Sequence, residues 1–381
     1  MTPEEEDVAL TIVHTADWHL GKRFPGFRES AQATLMRARL DVLDRIFGAA
    51  DLYHADAVLC AGDLFDDPRP ERPWWEGLAQ RLAATPPDRP IFLLPGNHDP
   101  LLDDSVWDPG YGFRAKLPAH VRVVERPNSE YKLGDKATLY ASPCTSQAGE
   151  QDLALELPAR APGDERIRIG MVHGSTFDMK GCQTNFPIAK DAAVQRGLDY
   201  LAIGDTHSFR LVPPDARVPT VYPGTPEPTN FGEAQPGNVA IVFIKSNRRV
   251  TVEPHPVAYW RWEEATLTSL DELRRVAART DLSQRVLRLR LDMSLSATDY
   301  TEAERLLDVL GGTAAVHPKV GILLLDRGGL VLDTGDVTTV FANMPEGLRE
   351  AARRLKEREQ GQEAEVARRA LYYLYTLAKK V

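Results

Sequence analysis

The sequence predicts an α/β protein built on a largely parallel sheet, followed by a smaller α+β module and a helical C-terminal segment. Three observations carry this expectation. Short apolar segments recur through the first 255 or so residues, and several run directly into Gly, Asp, Asn or His. Stretches of helical periodicity and crossover length separate the first of them, the pattern of βαβ units. Near residue 257 these ligand-type endings stop, and Leu287, Leu289 and Leu291 alternate with Arg288, Arg290 and Asp292, a half-buried strand of a different module. A chain of 381 residues also exceeds what one core usually holds.

The first strand, residues 8–14, leads into Asp17-Trp18-His19. Residues two apart in extended backbone point to the same side, so a carboxylate and an imidazole share a face and can bind one cation. Lys22, Arg23 and Arg28 follow, interleaved with Phe24 and Phe27. Cations among aromatics suit a nucleic-acid strand; a solvated loop has the same composition. Residues 29–50 place Leu35, Leu40, Leu43, Ile46 and Phe47 on one helical face. The second strand, around Val58 and Leu59, ends at Gly62-Asp63-Leu64-Phe65-Asp66, and a helix carrying Trp74, Trp75, Leu78 and Leu82 starts near Pro73. The third strand, Ile91-Phe92-Leu93-Leu94, delivers Gly96-Asn97-His98-Asp99 into the crevice beyond the strand ends, where α/β sheets bind ligands.

Short β segments are expected at 121–124 and 138–141, and a Pro/Gly loop at 158–164. A strand over 167–172 runs into His173-Gly174, a helix is expected near 189–196, and Tyr200-Leu201-Ala202-Ile203 runs into Gly204-Asp205-Thr206-His207. Pro223-Gly224-Thr225-Pro226-Glu227 reads as a tight loop at the cleft rim. Residues 239–244 and 250–253 form an antiparallel pair about Asn247-Arg248. In the second module a helix over 299–310 buries Ala303, Leu306, Leu307 and Leu310, and a strand covers 321–326. In the C-terminal segment Val366, Ala370, Tyr373, Leu374 and Leu377 form an apolar stripe that either packs on the core or docks a partner.

Apolar content of 43% and charged content of 27% are those of a soluble globular protein. A net charge of -9 excludes a strongly basic nucleic-acid coat; it does not exclude DNA, because a carboxylate cluster is acidic until it binds cations. Cys60, Cys144 and Cys182 form no CxxC pair and suit a reducing cytoplasm. No secretory h-region and no membrane-length apolar run are seen, so a cytoplasmic protein without membrane attachment is expected.

Asp17, His19, Asp63, Asn97, His173, Asp205 and His207 supply three carboxylates, three imidazoles and one amide oxygen. Such N/O donors suit manganese, iron or zinc, and two cations roughly 3.5–4 Å apart clamp a phosphoester. His98, beside Asn97, is left to hydrogen-bond a phosphoryl oxygen or to protonate the leaving oxygen.

The series Asp17-x-His19, Gly62-Asp63, Gly96-Asn97-His98-Asp99, His173-Gly174 and Gly204-Asp205-x-His207 resembles the calcineurin-like metallophosphoesterases over about residues 10–255. His14-Thr15-Ala16-Asp17-Trp18-His19, Gly62-Asp63-Leu64-Phe65-Asp66 and Tyr222-Pro223-Gly224-Thr225-Pro226-Glu227 resemble the DNA-repair exonuclease branch, the SbcD type. The resemblance implies a four-layer αββα catalytic domain over 1–256, a capping domain over 257–335 and a docking segment over 336–381. It implies a two-metal DNA nuclease, a 3′-to-5′ exonuclease and endonuclease on single strands, with an SMC-like ATPase as partner. A homodimer and two divalent cations, manganese foremost with magnesium, iron or zinc as alternatives, are also expected. By position, Asp17, His19 and His207 would hold the first cation, Asn97, His173 and Asp205 the second, with Asp63 bridging and His98 catalytic. Lys22, Arg23 and Arg28 would contact substrate. Two departures stand out. The family usually has Gly-His-x-His where this chain has Asp205, which lowers the site charge by one and shortens the reach. Asp66 stands where some relatives carry a second catalytic histidine; it would orient His98 or a nearby base, or cap its loop.

Overall fold

A computed structural model describes residues 8–176, 185–214, 216–313, 317–332, 340–360 and 363–378. Cys182 and residues 1–7 lie outside them. The chain divides into two compact units, Met1–Trp260 and Arg261–Val381.

In the first unit, β1 (Val8–Thr15) is followed by α1 (Glu29–Leu52), β2 (Ala57–Cys60), α2 (Arg72–Ala83), β3 (Ile91–Leu93) and β4 (Val121–Val123). These four strands are parallel neighbours. Next come β5 (Ser129–Leu133), β6 (Ala137–Ala141), α3 (Leu153–Glu156), β7 (Ile167–His173), β8 (Ser175–Thr176), β9 (Pro187–Ile188), α4 (Ala192–Gln195), β10 (Tyr200–Gly204), β11 (Arg210–Leu211) and β12 (Thr220–Tyr222). The hairpin β13 (Asn238–Lys245) and β14 (Val250–Pro256) completes the unit. Among the described residues these strands form two six-stranded sheets, ordered β14-β13-β1-β2-β3-β4 and β11-β12-β10-β7-β6-β5, besides a β8-β9 pair.

Period-two alternation explains the layers. In the first sheet Ile12, Leu59 and Phe92 face Leu139, Ile169 and Ala202 of the second. Their neighbours Val13, Val58, Cys60 and Leu93 face the opposite way, against Leu43 and Ile46 of α1 and Leu78 and Leu82 of α2. On the far side of the second sheet Val172, Leu201 and Ile203 pack on Leu153, Ala154, Ala192 and Ala193 of α3 and α4. Strands buried on both faces read as continuous apolar runs. The result is the helix–sheet–sheet–helix sandwich that the family resemblance implied. The helix expected near 189–196 is confined to Ala192–Gln195, because Gly197 at φ +60 ends it.

The second unit holds a parallel three-stranded sheet, β15 (Arg261–Leu267), β16 (Arg285–Leu295) and β17 (Ile322–Leu332), with α5 (Leu270–Ala278), α6 (Ala297–Gly311), α7 (Glu346–Arg358) and α8 (Ala364–Ala378). Ser269 and Ser296 cap α5 and α6 by accepting from Glu272 N and Asp299 N. Leu287, Leu289 and Leu291 are fully buried with Leu273, Ala303 and Leu310. The C-terminal stripe corrects one reading. Val366, Tyr373 and Leu377 are 67%, 57% and 63% exposed, and Ala367, Leu371, Tyr372 and Tyr375 take the core face. The helix is apolar on two sides, so periodicity alone did not select the buried one. Among the described residues no helix is long and apolar enough to cross a membrane.

Candidate metal centre

The centre forms where the carboxyl ends of β1, β2 and β3 meet those of β7 and β10. After β1, buried Trp18 donates its indole N–H to Thr15 Oγ1, which leaves Asp17 and His19 on the opposite side. The expectation of a shared side holds, but the backbone is not extended there. Asp17 and His19 have φ of 55° and 43°, a left-handed conformation that costs a non-glycine residue free energy. Bonds from Asp17 N to Gly62 O (3.0 Å), His19 N to Asp63 O (2.9 Å) and Leu20 N to Leu64 O (2.9 Å) zip this loop to the one after β2. Glycine is required at two close approaches. A Cβ on Gly62 would lie 2.2 Å from His173 Nδ1, and one on Gly96 would lie 2.2 Å from Asp63 Oδ1.

The loop after β3 is pinned by Asp99, a fully buried carboxylate that accepts from Gly96 N (2.8 Å), Leu64 N (3.0 Å) and Phe65 N (3.1 Å). His98 N donates to Asp63 Oδ1 at 2.9 Å. Asp63 Oδ2 then stands 3.7 Å from His19 Nε2 and 3.5 Å from His173 Nε2, between two groups of donors. Asp17, His19 and His207 converge on one side; Asp17, Asp63 and His173 converge on the other. Asn97 Oδ1 lies 2.8 Å from His173 Nε2. Asp205 is at the margin, 4.0 Å from His173 Nε2, while its own N–H donates to Asp17.

Each histidine of the centre has its Nδ1 engaged on the outside. His173 Nδ1 meets Ala61 O at 2.8 Å, His207 Nδ1 meets Glu233 Oε1 at 3.0 Å and Thr229 Oγ1 at 2.8 Å, and His19 Nδ1 lies 3.0 Å from Asp66 Oδ1. Acceptors at Nδ1 place the proton there and aim the bare Nε2 inward, as in carboxylate–histidine–metal arrangements. Glu233 and Thr229 carried no sequence signal, being 26 and 22 residues beyond His207 in irregular chain. Asp99 stands inside the quoted Asn97-His98-Asp99 run, where its neighbours drew the attention.

Asp66 is therefore closer to His19 than to His98, whose Nδ1 is 3.9 Å from its carboxylate and 3.2 Å from its carbonyl. The His98 side chain is 44% exposed, open to an incoming molecule. Lys22 pairs with Asp66 at 3.2 Å. Arg23 pairs with Glu71 on the surface, and exposed Arg28 directly precedes α1. Phe24 is buried, so it offers no face for base stacking. The loop 223–227, expected at the rim, is buried behind the first donor group.

The electrostatics favour cations. Burial raises the Asp17 carboxyl to about 6, aided by Asp63 and Asp205. Burial would also raise Asp63, but the surrounding imidazoles, His173 first, outweigh it and hold it below the usual carboxylate range. His173 rises to about 10 because the attraction of Asp63, Asp17 and Asp205 overcomes its own burial. Buried carboxylates here gather positive charge as protons; divalent cations supply that charge without them. The donor set, N and O without thiolate, fits such ions.

Two converging N/O donor groups at the strand ends of a double-sheet sandwich define a binuclear metal centre. The chain belongs to the calcineurin-like phosphoesterase family, whose sequence model matches residues 10–209. It is similar to YhaO of Bacillus subtilis (strain 168), named an uncharacterized metallophosphoesterase, with 26% identity over 270 residues covering 68% of this chain and 63% of that protein. It is similar to SbcD, the smaller-lettered half of the SbcCD nuclease name, from the same organism, with 28% identity over 313 residues covering 72% and 74%. The SbcD protein of Rhodobacter capsulatus is 39% identical over 95 residues, 24% of this chain and 22% of that one. The chain thus aligns with just under two thirds of the first relative's length.

Proposed function

We propose that this protein is a metal-dependent DNA nuclease that hydrolyses phosphodiester bonds as a 3′-to-5′ exonuclease and cuts single strands internally. The observation that carries the reading is the convergence of Asp17, His19, Asp63, His173 and His207 beside a solvent-open His98. Asp17, His19 and His207 would hold one cation, and Asn97, His173 and Asp205 the other, with Asp63 shared. Bound divalent cations, manganese foremost with magnesium, iron or zinc as alternatives, supply Lewis-acid stabilisation of phosphoryl charge and lower the pKa of a water.

The chain's own residues do the rest. Asp66 and Glu233 fix the His19 and His207 rings. His98 protonates the leaving oxygen or hydrogen-bonds a phosphoryl oxygen. Lys22 is placed to meet a backbone phosphate, with Arg23 and Arg28 further out. The acidic net charge accords with a partner that supplies most of the DNA-binding surface, an SMC-like ATPase contacted through the second unit by a homodimer of this chain. The SbcD relatives support this reading.

The YhaO relative supports a second reading, a phosphatase or cyclic-nucleotide phosphodiesterase. Manganese-dependent cleavage of an end-labelled DNA duplex, set against hydrolysis of a nitrophenyl phosphodiester, separates them. The nuclease reading expects DNA cleavage that Asp63→Asn abolishes in a folded protein. Turnover of the small ester with no cleavage of duplex or single-stranded DNA would overturn it.

A further inference from the structure

The helical face of α1 that packs on the first sheet is apolar at Leu35, Leu43 and Ile46, yet position 39, one turn from both Leu35 and Leu43, is an arginine that is fully buried. A buried guanidinium is costly to desolvate, and is retained only where its donors are well satisfied. Arg39 Nε donates to Trp18 O at 2.8 Å and to His19 O at 3.2 Å. One terminal nitrogen donates to Glu227 O at 2.7 Å; the other donates to Asp17 O at 3.1 Å and to Thr225 Oγ1 at 3.0 Å. Three successive carbonyls, those of Asp17, Trp18 and His19, thus wrap a single side chain.

Those residues form the loop that presents two members of the first donor group. Both ligand-type residues in it are left-handed, at φ 55° and 43°, so the loop does not hold its shape by local preference and needs external support. Thr225 Oγ1 lies 2.9 Å from Asp17 O and 2.8 Å from Glu227 O, which ties the buried 223–227 loop into the same knot. The Glu227 carboxylate is held in turn by Tyr259 N at 2.9 Å and Trp260 N at 2.7 Å. The far end of the support is therefore fixed to the backbone.

We propose that Arg39 is a positioning residue for the metal centre: its planar fork holds the Asp17–His19 carbonyls, and through them sets the affinity of the first cation site. The role depends on the fork as well as on the charge. A lysine ammonium is a compact point donor and cannot span three carbonyls and the 225–227 loop together. This inference rests on reading Asp17, His19 and His207 as ligands of one cation.

The test is calorimetric titration of chelator-stripped protein with Mn2+, read with thermal unfolding in EDTA. Wild type is expected to bind two equivalents. Arg39→Lys is expected to weaken one of them by roughly 10–100-fold and to leave the other unchanged. Leu43→Ala, a core truncation on the same helix face, provides the control. It is expected to lower the unfolding temperature in EDTA while binding both equivalents normally. If Arg39→Lys unfolds, Thr225→Val, which removes the hydroxyl bridging Arg39 and Asp17 O, is expected to weaken the same equivalent. Unchanged affinities in the folded Arg39 and Thr225 variants overturn the proposal, as does equal loss in Leu43→Ala. A wild type that binds no Mn2+ overturns the metal reading and this inference with it.

Discussion

His19 Nε2 and His207 Nε2 face each other at 3.0 Å, and each ring turns its Nδ1 toward a carboxylate, Asp66 or Glu233. With the protons on Nδ1, two lone pairs point at one another, and Asp17 completes the group. A shared cation satisfies all three donors. His207→Ala should reduce bound manganese from two equivalents to one and abolish phosphodiester cleavage, with the circular dichroism spectrum unchanged. Elemental analysis of protein purified without chelator checks the count.

His98 contributes differently. Its backbone N–H steadies Asp63, but its ring is exposed and edges against the His19 ring at 4.8 Å. His98→Ala keeps that backbone contact. Both cations should remain, while kcat falls by about 100- to 10,000-fold, the usual worth of a general acid. A steady-state assay with parallel metal quantification tests this, and loss of a cation would contradict the assignment.

Asp66 orients a ligand ring by its 3.0 Å contact with His19 Nδ1. Asp66→Asn should weaken cation binding by roughly 10–100-fold. Excess Mn2+ should then restore much of the activity, in contrast to His98→Ala, where added metal changes nothing. A metal-dependence curve for each variant separates the two roles.

Gly62 stands at φ +97, and a Cβ there would lie 2.2 Å from the His173 ring. Gly62→Ala should cost at least about 2 kcal/mol, combining backbone strain and overpacking. It should also displace His173 from the second donor group. Urea unfolding and Mn2+ titration of the same preparation measure both effects.

His14 predicts a pH dependence separate from the cations. Burial lowers its pKa to about 3; Nδ1 meets Tyr200 Oη at 2.8 Å, and buried Nε2 has no partner. The folded state keeps the ring neutral, whereas the unfolded chain protonates it near 6.5. The unfolded state therefore binds the extra proton between about pH 6.5 and 3, and stability falls as pH drops through that window. In EDTA, to remove metal linkage, His14→Phe should flatten this slope. An unchanged slope would show that other groups set the acid sensitivity.

Much of the fold was legible in order along the chain. Alternation at Ile12/Val13 and Leu59/Cys60 marked strands, and Asp17, Asp63, Asn97, His173 and His207 stood directly after them, because a strand end is a position local sequence can mark. The Leu287–Leu291 alternation was equally plain. Features set by contact between distant segments were not visible. Nothing near Glu233 announces that it meets a ring 26 residues earlier, and nothing near Thr225 announces that its hydroxyl reaches the β1 loop. The apolar residues of α8 satisfied two helix faces, and packing against Phe341 and the second-unit core selected the one with Leu371 and Tyr375.

Which residue types reach the strand ends is written locally, since period-two burial and the glycine turns after β2 and β3 are properties of short segments. Which nitrogen of each histidine points inward, and that Arg39 grips the loop between β1 and α1, is set by packing alone. Those outcomes depend on hydrogen-bond partners brought together from segments up to 189 residues apart, whose geometry exists only after the two sheets have packed.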